Sequence, residues 1–162
     1  MKKKIGLYWF TFDLRLHDNS LLVNASSFLD ELVCLYCRPS VTPFLHHFAQ
    51  EATLGRARQK FIDASLCELN DALGQLGQRL WTIDLPPIKP EYAIQYLGVT
   101  HLYADAMAGS DEQSILHKLQ DEYHTLSLFS TLYAVCSTKA SCRLRCLIYP
   151  RLLLSLESAL KG

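Results

Sequence analysis

The sequence predicts an α/β fold built as one five-stranded parallel sheet with helices on both faces. Three observations carry that expectation. Short apolar runs alternate along the chain with longer stretches whose apolar residues recur at helical spacing. The segments between successive strands are long enough to cross over and return in parallel. One apolar run, ELVCLYC, is continuous rather than alternating, as a strand buried on both faces requires.

Taken in order, Lys4 to Phe10 reads as the first strand, and Ser20 to Phe28 as a short helix capped by Asn19 or Ser20. Asp30 to Cys37 is the second strand. Arg38 to Gly55 holds two prolines, two phenylalanines, the pair His46 and His47, and a terminal glycine; it is long for a connection and has the character of a binding loop that includes a short helix or none. Arg56 to Leu76 is the clearest helix, because Ile62, Leu66, Leu69, Leu73 and Leu76 step by four, three, four and three along one face, with Gly77 as its C-terminal cap. Leu80 to Asp84 makes the third strand, and the proline-paired Leu85 to Lys89 a loop. Pro90 opens a helix that runs to Leu97 and stops at Gly98. Thr100 to Ala106 is the fourth strand, Ser110 caps a helix over Asp111 to Tyr123, and Thr125 to Phe129 is the fifth strand.

The 162 residues suffice for one domain with a core of its own. Hydrophobic residues make up 49% and charged residues 20%, the profile of an ordinary globular protein. Sixteen basic residues balance sixteen acidic ones, so no global charge draws the domain to nucleic acid. No apolar run is long enough to span a bilayer, and MKKK is followed by a strand rather than a signal-peptide core, which places the protein in the cytoplasm with no membrane partner. Cys34 and Cys37 form a C-x-x-C, but on a strand residues three apart point to opposite faces, so we expect buried thiols and no metal site. The six histidines are scattered and lack a nucleophile partner. G-x-G-x-x-G, G-x-x-x-x-G-K-[ST] and G-x-S-x-G are all absent, which disfavours a dinucleotide dehydrogenase, a P-loop NTPase and an α/β-hydrolase. No catalytic residue is assigned.

Residues 7–19, LYWFTFDLRLHDN, pass abruptly from an apolar strand into a polar segment. Polar groups at the carboxyl end of a strand face the ligand crevice of an open α/β sheet, although an Asp and Arg pair there can equally tie down a loop. The string W-F-T-F-D-L-R-L-H-D-N closely resembles the opening signature of DNA photolyases and cryptochromes, W-F-R-x-D-L-R-x-x-D-N, with Thr11 where that family usually has Arg. LGRARQKFIDASLCELNDALGQLGQRL and VTHLYADAMAGSDEQ resemble later parts of the same family's first domain, so the likeness covers most of residues 3–133.

That resemblance implies a Rossmann-like N-terminal domain over residues 1–133, followed in complete relatives by a helical domain that holds FAD and receives damaged DNA. It implies that Trp9, Phe10, Asp13, Arg15, Asp18 and Asn19 serve a structural role in the crevice or the domain contact. In folate-binding members an antenna pigment, methenyltetrahydrofolate, is held partly by an Asn-Glu pair at the start of the helix after strand four. Asp111 and Glu112 stand there in this sequence, the glutamate matching and the asparagine replaced; they are pterin acceptors or plain capping residues. A complete relative repairs pyrimidine dimers with light. This chain, lacking the FAD domain, is expected to show no repair, no FAD and no direct contact with nucleic acid, while an exposed former interface could drive self-association.

Residues 134–162 do not continue the likeness. Read in the +2 frame with permitted codons, Ser141 to Gly162 gives QLPFAVPDLPKTFTQFRKRLEG, which resembles the interdomain linker of DASH-type cryptochromes. The expectation is a frameshift between about Tyr133 and Lys139 and a non-native tail beyond it. Two competing readings are a stand-alone nucleotide-binding module of the universal stress or electron-transfer flavoprotein type, and a non-functional remnant.

Overall fold

A computed structural model describes residues 3–38, 55–83, 90–105, 110–123 and 127–129. Five strands form one sheet in the order β3-β2-β1-β4-β5. They are β1 (Ile5–Phe10), β2 (Glu31–Cys37), β3 (Leu80–Ile83), β4 (His101–Ala104) and β5 (Ser127–Phe129). Every pairing is parallel. Among the described residues four helices connect them: α1 (Ser20–Phe28), α2 (Arg56–Gln75), α3 (Glu91–Leu97) and α4 (Ser110–Glu122). The sheet and its class are as the sequence predicts, with most strand ends a residue or two shorter. The long connection with His46 and His47, the proline loop and residues 134–162 lie outside the described residues.

Strand alternation divides the interior into two cores. Tyr8 and Phe10 of β1, Cys34 and Tyr36 of β2, and Tyr103 of β4 pack with Leu21, Leu22 and Ala25 of α1 and Leu66, Leu69 and Leu73 of α2. On the opposite face Leu7, Trp9, Leu35, Cys37, Leu102 and Ala104 pack with Ala93 and Ile94 of α3 and Leu116 and Leu119 of α4. Cys34 and Cys37 therefore do fall on opposite faces. Burial pushes each thiol up to about 12, which disfavours the reactive thiolate form. Among the described residues no group of His, Cys, Asp and Glu could hold a metal ion.

Local chemistry fixes the element ends. Asn19, not Ser20, caps α1, accepting from the Leu22 amide at 2.9 Å. Gly77 and Gly98 follow α2 and α3 at positive φ, 74° and 61°, where a Cβ would be strained. Ser110 lies within α4 rather than ahead of it. At the amino end of the sheet Lys3 pairs with the buried Glu31, and Lys4 lies 4.0 Å over the Phe28 ring.

The charge order of α2 runs against its dipole. Its first five residues include Arg56, Arg58 and Lys60, its first turn contains no acid and its last turn no base, and Gly55 provides no side-chain cap. Cations at the positive end of a helix cost about 0.3–1 kcal/mol each at low ionic strength. The helix forms because Leu66, Leu69 and Leu73 bury a continuous stripe.

Candidate crevice at the carboxyl ends of the central strands

The chain leaves β1 through α1 to β2 and β3 on one side, then crosses back to β4 on the other. The order reverses between β1 and β4, and in open α/β sheets the crevice outside such a reversal is where ligands sit. Residues 11–19 follow β1 into that crevice, and Asp105 follows β4.

Arg15 holds Asp13 in a two-pronged pair, Nε to Oδ1 and Nη2 to Oδ2, both at 2.9 Å. The Arg15 amide also donates to Asp13 Oδ1 at 3.1 Å. These bonds, led by the guanidinium's, hold the Asp13 carboxyl below the ordinary carboxylate range. Asn19 is the structural pivot of the segment. Its Nδ2 donates to Tyr8 Oη at 2.8 Å and to the Arg15 carbonyl at 3.1 Å, while its Oδ1 caps α1. Asp18, just before it, takes a left-handed backbone with φ of 56°, a conformation Asp tolerates better than most residues. Tyr8 is fully buried, and burial raises its hydroxyl well above the usual range.

Asp105 is buried at 9% exposure, and its Oδ2 has no hydrogen-bond partner among the described residues. Burial, reinforced by the neighbouring Asp13 charge and partly opposed by Arg15, raises its carboxyl to about 6. Because Trp9 pairs with Ala104 and sides alternate, Asp105 falls on the Tyr8 face with Asp13 and Arg15. Trp9 Nε1 and Thr11 Oγ1 are also buried without hydrogen-bond partners among the described residues, and Trp9 packs on the α3 and α4 face.

The six signature residues do not form one cluster. Asp13, Arg15 and Asn19 come together around the Tyr8 side of the crevice, and Asp18 is exposed at its rim. Trp9 and Phe10 are core residues, 7% and 0% exposed, directed to opposite faces. Asp111 and Glu112 lie in the first turn of α4, and their side chains are outside what is described. Sequence reasoning did not single out Asp105. Its signal was an Asp directly after a strand that pairs with β1, legible once the strand order is known.

The family model described as DNA photolyase matches residues 6–132. The chain belongs to the DNA photolyase family. It is 92% identical over 124 residues to a cryptochrome DASH of Vibrio parahaemolyticus, covering 76% of this chain and 28% of that relative. A second cryptochrome DASH, from Idiomarina loihiensis, is 32% identical over 77 residues, covering 48% of this chain and 17% of the relative. Among solved structures, a bacterial class III photolyase from Agrobacterium tumefaciens is 25% identical with a TM-score of 0.60, covering 80% of this chain and 26% of its own. A Synechocystis cryptochrome is 24% identical with a TM-score of 0.64, covering 80% of this chain and 28% of its own. A Sulfolobus tokodaii photolyase, whose structure contains two FAD molecules, gives 22% and 0.59, covering 78% and 28%. The photolyase family domain therefore spans most of this chain, in the region of the N-terminal α/β domain of photolyases and DASH cryptochromes. It spans well under a third of the relatives' length. No helix among the described residues is long and apolar enough to cross a membrane.

Proposed function

We propose that residues 1–133 are the antenna-chromophore domain of a DASH-type cryptochrome, holding methenyltetrahydrofolate in a cytoplasmic protein. The observation that carries the reading is the 92% identity to a cryptochrome DASH across 124 residues. The crevice supports it, because the unpartnered Asp105 carboxylate offers an acceptor that a pterin's amino and ring N–H groups would fill. Asp111 and Glu112 would add acceptors from the first turn of α4. Such a pigment, when bound, absorbs light and passes the excitation on. This chain's residues would hold it, orient it and exclude water from it.

Titration with methenyltetrahydrofolate, followed by the pigment's absorption and fluorescence, tests the reading. Saturable binding weakened in Asp111→Ala/Glu112→Ala supports it. Binding of ATP in place of folate would favour the nucleotide-binding module, and silence from both the remnant.

In a complete protein we propose a helical domain with FAD that repairs pyrimidine dimers in damaged DNA under light; this chain alone should show neither bound flavin nor repair. Residues 134–162 we read as an out-of-frame tail. The family match ends at residue 132, and a relative more than two and a half times as long matches only 76% of this chain despite its 92% identity. Sequencing the locus tests this: an intact single frame through Tyr133 to Lys139 in the genome would sink it. The rim around Asp13 and Arg15, where Phe12 is 66% exposed, would then have lost its cover. Concentration-dependent sedimentation, reduced in Phe12→Ser, would show that it drives self-association.

A further inference from the structure

We propose that the first two turns of α2 form a nucleic-acid contact surface, in which Arg56, Arg58 and Lys60 hold backbone phosphates and Phe61 stacks on a base. This goes beyond the antenna reading, does not depend on it, and departs from the expectation of no direct nucleic-acid contact that the balanced net charge raised. The neutral formal charge of the chain hides a local segregation. Three of its cations occupy five consecutive positions, all three are exposed, and no ion pair engages them among the described residues.

Within these first two turns and the residue after them there is one carboxylate. Asp63, at i+7 from Arg56 and i+3 from Lys60, is held instead by Arg38 Nη2 at 2.8 Å. It is therefore occupied by a fourth cation, delivered from the end of β2. The acids Glu68 and Asp71 lie on the same side but two or more turns beyond the first cation, further along α2. Stability alone would favour the reverse order along a helix, and local choices that oppose their own element are what functional surfaces show.

Phe61 decides the kind of polyanion. It is 73% exposed, the most exposed large apolar side chain among the described residues. It lies between Arg58, its i−3 neighbour, and Lys60, with Arg56 and Lys60 adjacent at i and i+4. An aromatic face set among cations offers a nucleic-acid strand both stacking and phosphate neutralisation, and it requires no base sequence. An acidic polypeptide would use the cations and leave the ring idle.

The 162-residue chain is titrated with a fluorescent oligothymidylate, with anisotropy read as salt is varied. Three phosphate contacts predict a slope of about −2 in log K against log salt, which is roughly a 16-fold loss of affinity between 50 and 200 mM. Arg56→Gln/Arg58→Gln/Lys60→Gln should weaken binding at least tenfold and flatten the slope. Phe61→Ala should weaken it at least about fivefold while the slope is kept. Arg79→Gln, a cation on another part of the surface, should change neither. Circular dichroism melts establish that each variant is folded. The proposal is overturned if the oligonucleotide does not bind, if Arg79→Gln weakens binding as much as the triple variant does, or if polyglutamate competes as well as oligothymidylate and Phe61→Ala is without effect.

Discussion

Asn19 Nδ2 donates to Tyr8 Oη at 2.8 Å, tying the cap of α1 to the buried middle of β1. One amide thus satisfies a helix terminus, a loop carbonyl and a hydroxyl that has no access to water. Replacing Asn19 with Ala removes a cap worth about 1 kcal/mol and strands the Tyr8 hydroxyl at about 1–3 kcal/mol. Urea denaturation should report a loss of about 2–4 kcal/mol. Adding Tyr8→Phe to that variant should recover part of it, whereas Tyr8→Phe alone should destabilise; additive effects in this cycle would mean that the two side chains are not coupled.

Asp105 gives the domain a pH dependence of unusual sign. Its carboxyl is raised from 3.8 to about 6 in the fold, so the folded state holds the proton more tightly than the unfolded chain does. Its favourable contribution is complete below about pH 4, declines as pH rises toward 6, and is gone above that. Asp105→Asn should flatten this window and raise stability at pH 7.5 by about 1–3 kcal/mol, with little change at pH 4. Melting temperatures across pH 4 to 8 would measure it, and an unchanged profile in the variant would remove Asp105 as the cause.

The Asp13 and Arg15 pair is geometrically good but exposed, with side chains 30% and 61% accessible. Screening leaves such pairs little weight in folding. Arg15→Ala should leave the melting temperature within the scatter of replicate scans, while the Asp13 carboxyl, followed by NMR titration, rises toward its ordinary value. A large fall in melting temperature would show that the pair is needed by the domain itself.

Thiol reactivity separates the described cysteines. Cys67 is exposed on α2, whereas Cys34 and Cys37 are buried in strand β2. Brief alkylation of the native protein, mapped by mass spectrometry, should modify Cys67 and spare the other two. Early labelling of Cys34 would contradict the burial of the β2 strand.

The fold was legible because its signals are local and redundant. The unbroken apolar run of β2 and the four-three stepping of Leu66, Leu69 and Leu73 each admit one reading, and the caps at Asn19, Gly77 and Gly98 punctuate them. The crevice was legible only in part. Residues 11–19 announced themselves by an abrupt change of polarity next to β1. Asp105 stayed hidden because its meaning depends on β4 lying beside β1, a neighbour relation between residues about a hundred positions apart that no local pattern records. Trp9 and Phe10 show the converse: a recognisable spelling drew attention to side chains whose work is packing.

The placement of β1 at the centre of the sheet has a consequence for how the protein is made. Thr100 Oγ1 donates to the Ile5 carbonyl across 95 residues of chain, so the first strand to leave the ribosome waits, one edge unpaired, until the fourth has emerged. Sheet assembly is correspondingly slow and non-local. Yet the last strand among the described residues ends at Phe129. A ribosome that lost its frame a few codons further on would already have delivered all five strands of the described sheet.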